Sequence, residues 1–127
     1  MTETGTAPRG PVMLVDDDPD LRDSLQLVLE MRGFAVVVAR DGADALQQLA
    51  ADPLPRVVLL DLMMTGMNGL EFREHQMLDP RLSALPVVLL TGAGTHAIDP
   101  QAVRGATVLR KPFDFDRLVL LLDSLCY

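Results

Sequence analysis

Short apolar runs alternate along the chain with stretches whose leucines and valines recur at helical spacing. The runs are "VMLV" (Val12 to Val15), "FAVVVA" (Phe34 to Ala39), "RVVLLD" (Arg56 to Asp61), "PVVLLT" (Pro86 to Thr91) and "ATVLR" (Ala106 to Arg110). Each has the length of a strand, and their β-branched residues suit a pleated surface. After the first run, apolar residues at 21, 25, 28 and 29 mark a helix. Asp18 suits its N-cap, Pro19 its first turn and Gly33 its C-terminal stop. "DGADALQQLAAD" predicts a second helix, ended by Pro53 and Pro55, and "NGLEFREHQMLD" a third. A poor helix is expected around "THAIDPQAVRG", which Pro100 interrupts. "DFDRLVLLLDSL" predicts the last. Five strand–helix units with short connections and apolar strands predict an α/β domain. Its parallel sheet has both faces covered, and right-handed crossovers make it doubly wound, a three-layer sandwich. The domain spans residues 12–127, and residues 1–11 are expected to be a flexible tail.

Composition narrows the function classes. Of 127 residues, 49% are apolar, enough for one well-filled core. No apolar run approaches the ~20 residues of a membrane span, and "MTETGTAPRGP" lacks the apolar middle of a signal peptide. The single cysteine, Cys126, makes neither an intramolecular disulfide nor a metal cage. A cytoplasmic location without membrane attachment is the expectation. Eleven basic residues are scattered among eighteen acidic ones, a formal charge of −7. That balance argues against direct nucleic-acid binding, which needs clustered cations.

In a doubly wound sheet, ligands bind beyond the carboxyl ends of the strands. Strand one ends in Asp16, Asp17 and Asp18, strand three in Asp61, and strand four in Thr91 and Gly92. Strand five runs into Lys111 and Pro112. A strand order 2-1-3-4-5 puts Asp16, Asp17 and Asp61 in one pocket at the switch point. Carboxylates so crowded repel one another, and a divalent cation relieves them. Oxygen ligands without His or Cys favour Mg²⁺. Lys111 offers a point charge to a phosphate, Thr91 a hydroxyl, and Gly92 space beside it. The set suits phosphoryl transfer onto a carboxylate.

These motifs, "VDDDPD" at 15–20, "LLDLMMTGMNG" at 59–69, "LLTG" at 89–92 and "LRKPF" at 109–113, resemble the receiver domain of a two-component response regulator. The resemblance covers about Val12 to Leu125 and implies a flavodoxin-like sandwich that acts as a signalling switch rather than a dedicated enzyme. It implies that Asp61 is the phosphoacceptor, charged by a sensor histidine kinase or a phosphotransfer protein, and that the phosphorylated form contacts a downstream protein. It further implies Mg²⁺ ligation by Asp17, Asp61 and the Met63 backbone carbonyl, with Asp16 holding a metal-bound water. Lys111 would pair with Asp61 and later with the phosphoryl group. Thr91 would swing toward the phosphoryl oxygens, and Lys111–Pro112 would be a cis peptide. Three positions depart from the family's habit. Thr65 stands where proline is frequent, Val108 stands where an aromatic switch is frequent, and the segment between Thr91 and Lys111 is short. In the last helix Leu118 to Leu122 and Leu125 form a broad apolar band, a candidate contact for a second copy of the chain. Two other readings use the same residues. One is a phosphatase of the haloacid dehalogenase type, with Asp16 as nucleophile beside Asp18, Thr91 and Lys111. The other is a pseudo-receiver that binds partners without phosphorylation.

Overall fold

The computed structural model describes residues 9–64, 66–92 and 105–125. Five strands, β1 (Arg9–Val15), β2 (Phe34–Ala39), β3 (Val57–Asp61), β4 (Val87–Thr91) and β5 (Thr107–Arg110), form one sheet in the order β2-β1-β3-β4-β5. Every neighbouring pair is parallel. The strand order and the parallel direction are those expected. The helices among the described residues are α1 (Pro19–Met31), α2 (Gly42–Leu49), α3 (Gly69–Leu78) and α4 (Phe115–Leu125). The helix expected around residues 95–105 lies almost wholly outside the described residues.

Successive strand side chains point to opposite faces, and this period sorts the core into two layers. Met13, Val15, Val58, Leu60, Val87 and Leu89 meet Ala45 and Leu49 of α2 and Phe72 of α3. Val12, Leu14, Val57, Leu59, Val88 and Leu90 meet Leu25 and Leu29 of α1 and Leu118 and Leu122 of α4. β3 and β4 are buried along their whole length, so they carry no polar residue until the rim.

Local chemistry sets the helix ends. The Asp18 side chain accepts from the amides of Asp20 and Leu21, Pro19 opens α1, and Gly33 takes φ +91° just after it. Asp41 caps α2 by accepting from the Asp44 amide, and Asn68 and Glu71 form a reciprocal capping box on α3.

Two expectations change. β1 begins at Arg9, so residues 9–11 belong to the sheet and not to a tail. The sequence cue was absent because these residues are not apolar. What holds them is the Arg9 guanidinium, 4.2 Å above the Phe34 ring. It also pairs with Asp123 and donates to the Arg32 carbonyl. The broad apolar band of α4 is largely core: Leu118, Val119 and Leu122 are buried, and Leu121 and Leu125 pack against the same layer. Only Leu120 of the band stays outside it, 70% exposed.

Candidate functional site

The carboxyl ends of β1, β3, β4 and β5 meet along one rim of the sheet. Asp61 is the last residue of β3, opposite Leu90 of β4, and Thr91 lies opposite Arg110 of β5. The Lys111 amide donates to the Thr91 carbonyl at 2.7 Å. Carrying β5 one residue past its end in this way brings the Lys111 ammonium to Asp61, Nζ to Oδ2 at 3.1 Å. The Lys111–Pro112 peptide is cis, as expected. The other Asp61 oxygen, Oδ1, accepts from the Met63 amide at 3.0 Å. The carbonyl was the part of Met63 expected at the site; its amide is what the structure shows in contact. Met63 itself is exposed.

Asp16 ends the other limb of the rim. Its amide donates to the Ala39 carbonyl, and its Oδ1 accepts from the Asp18 amide at 2.9 Å. Its Oδ2 is buried and finds no hydrogen-bond partner among the described residues. Burial is the main cause that raises the Asp16 pKa; the Asp18 amide offsets part of it. The negative charges of Asp61 and Asp17 raise it further, and Lys111 lowers it. Asp16 therefore feels the charges of Asp61, Lys111 and Asp17. Asp17 is half-buried. Asp18 is exposed and serves as the α1 cap, not as a site residue.

The donor set fits a hard cation bound with much of its water. Among the described residues no three acidic, His or Cys side chains are gathered into a ready-made metal cage. Mg²⁺ does not need one, because it retains several waters and commonly takes only one or two carboxylates. A buried carboxylate oxygen without a partner, beside two further carboxylates, is the environment such an ion relieves. Thr91 is buried at the end of β4, and among the described residues an added Cβ at Gly92 would meet nothing within 4 Å. Val108, at the position of the family's aromatic, sits in β5 opposite Leu89. Thr65 lies outside the described residues.

Sequence reasoning missed Arg22. Its side chain, from the first turn of α1, donates to the Asp16 carbonyl at 3.0 Å. It also missed that Gly42, at the start of α2, approaches Met67 of the loop after Asp61 so closely that a Cβ would stand 3.0 Å from Met67 Sδ. Neither contact has a local signal, because each joins separate elements.

Known proteins are similar to this chain in sequence and fold. The profile of the response regulator receiver domain matches residues 12–123. The C4-dicarboxylate transport transcriptional regulatory protein DctD of Rhizobium meliloti is 41% identical over 111 residues, which cover 85% of this chain and 23% of that protein. This chain thus spans about a quarter of that relative's length. Among solved structures, a CheY-like receiver domain protein from Methanospirillum hungatei is 31% identical with a TM-score of 0.75, covering 87% of this chain and 89% of that one. The Vibrio cholerae chemotaxis protein CheY4 is 27% identical with a TM-score of 0.80, covering 94% and 99%.

Proposed function

This chain belongs to the response regulator receiver domain family of two-component signal transduction, and from that membership we propose that Asp61 is its phosphoacceptor. The single observation that carries the assignment is the contact of Lys111 Nζ with Asp61 Oδ2, between residues at the ends of separate strands. An Asp61 carboxylate oxygen attacks the phosphorus of a phosphohistidine. The phosphorus–nitrogen bond breaks, the imidazole leaves with its electron pair, and an acyl phosphate forms on Asp61. Lys111 then transfers its pairing from the free carboxylate to the phosphoryl oxygens, and the Thr91 hydroxyl donates to one of them. Mg²⁺ held by Asp17, Asp61 and the Met63 carbonyl, with Asp16 through a water, would supply charge neutralisation for the incoming group.

The donor is a sensor histidine kinase or a phosphotransfer protein, and the readout is altered contact with a downstream protein. Absence of direct nucleic-acid contact is proposed for this segment alone, on its acidic charge; the transcriptional regulatory relative is matched over only 23% of its length. Among the described residues no helix is long and apolar enough to cross a membrane.

The test is phosphoryl uptake from a small phosphodonor with Mg²⁺, followed by intact mass. The wild type gains one phosphoryl group and Asp61→Asn gains none. Equal uptake by the mutant defeats the assignment. The phosphatase reading makes the opposite forecast, turnover of a phosphomonoester that depends on Asp16. The burial of Asp16 and the use of Asp18 as a helix cap count against it.

A further inference from the structure

We propose that Arg22 is a positioning residue for the Asp16–Asp17 metal pocket. The role presupposes the phosphoacceptor site at Asp61 and adds to it a residue on a helix outside the rim. Arg22 touches the β1–α1 loop twice. Its amide donates to the Asp18 carbonyl at 2.9 Å, the ordinary bond of a first helical turn. Its guanidinium Nη1 reaches back past that turn to the Asp16 carbonyl at 3.0 Å, in a partly buried setting.

The second bond matters because of what the Asp16 carbonyl belongs to. A peptide group is planar, so fixing that oxygen fixes the amide of Asp17 and the direction in which Asp17 leaves the strand. The same residue is pinned from the other side, by its amide on the Ala39 carbonyl and by its Oδ1 on the Asp18 amide. Without Arg22, the Asp16 carbonyl loses this side-chain anchor while the Asp16 amide and carboxylate keep theirs.

The contribution is geometric and not one of charge. The Arg22 contact is with the Asp16 backbone carbonyl and not with the Asp16 carboxyl. Arg22 does act on Asp44 of α2, whose pKa is lowered chiefly by the Arg40 amide and more weakly by the Arg40 and Arg22 charges. The guanidinium turns a hydrogen-bonding edge to the β1–α1 loop.

The two roles predict opposite signs. A cation that acts by charge opposes Mg²⁺ binding, so its removal tightens the site. A cation that holds the loop favours binding, so its removal loosens the site. Mg²⁺ titration of the full chain, by calorimetry and amide spectra, is the experiment. Arg22→Met, which keeps the stem without the donor, weakens Mg²⁺ binding about tenfold, the scale of one charge-assisted hydrogen bond. Arg22→Lys, which keeps a donor, retains most of the affinity. The Asp16 carbonyl ¹³C resonance moves in Arg22→Met and stays near its wild-type position in Arg22→Lys. An unchanged resonance in Arg22→Met, or Mg²⁺ binding as tight as or tighter than wild type, overturns the role. If the wild type takes up a phosphoryl group on Asp61 while Arg22→Met binds Mg²⁺ unchanged, the Arg22 role alone fails. If the wild type neither binds Mg²⁺ nor takes up phosphoryl, the phosphoacceptor assignment fails and takes the Arg22 role with it.

Discussion

Asp16 shows how one side chain can be a liability to the fold and an asset to the site. It is buried, one oxygen is satisfied by the Asp18 amide and the other has no partner among the described residues. Its pKa is raised by burial first, so the folded chain holds the proton more tightly than the unfolded chain does. Below the unfolded value, 3.8, both states are protonated and there is no penalty. As pH rises through the window up to the raised folded pKa, metal-free stability falls, and the penalty is complete above it. Asp16→Asn keeps an oxygen for the Asp18 amide and removes the charge. Its metal-free Tm at pH 7 should exceed the wild type's by a few degrees, with a flatter dependence on pH, while its Mg²⁺ affinity falls. Thermal melts with chelator across pH check this, and a lower Tm at pH 7 would contradict it. The sequence named the chemical type of this residue; its partnerless oxygen follows from burial, which no single position encodes.

Among the elements, α3 begins in a tightly drawn place. Gly69 opens α3, and its amide donates to the Leu62 carbonyl at 3.0 Å. A Cβ there would stand 3.0 Å from Leu62 Cα and 3.2 Å from side-chain atoms of Leu62 and Leu89. The nearest of these is backbone and the others are core, so the crowding cannot be relieved by rotating a surface side chain. Gly69→Ala should cost about 1–3 kcal/mol despite its better helix propensity. Since Leu62 follows Asp61, the mutation should also slow phosphoryl uptake. Urea unfolding and uptake kinetics on one preparation test both effects, and a stabilised variant would show that the loop yields. The glycine was visible in "GMNGLEF", but the reason for it was not, because Leu89 comes from another strand. The same limit governed α4. Its apolar band looked too broad for one buried stripe, and the core layer it shares with the sheet and α1 accounts for all of it but Leu120.

For the molecule as a whole, Mg²⁺ held at the rim would link metal binding to folding. A ligand that binds only the folded chain stabilises it by RT ln(1 + [L]/Kd), about 1.4 kcal/mol at ten times Kd. Millimolar Mg²⁺ should raise the wild-type Tm reversibly, and chelator should abolish the rise. Asp17→Asn and Asp61→Asn should shrink it, and differential scanning with and without Mg²⁺ measures all three. An equal Mg²⁺ shift in every variant would place the ion elsewhere.

By itself, the order of apolar runs and helical stretches determined the parallel sheet and its three layers, because strand and helix periods are local and the handedness of crossovers leaves few topologies. The residue types at the strand ends likewise marked out Asp61 and Lys111, since a polar group that closes an apolar strand has to lie at the rim. Tertiary structure alone decided that Arg9 extends the first strand and that Arg22 grips the Asp16 carbonyl. Those contacts depend on how far side chains reach between elements, and spacing along a chain carries no measure of that distance.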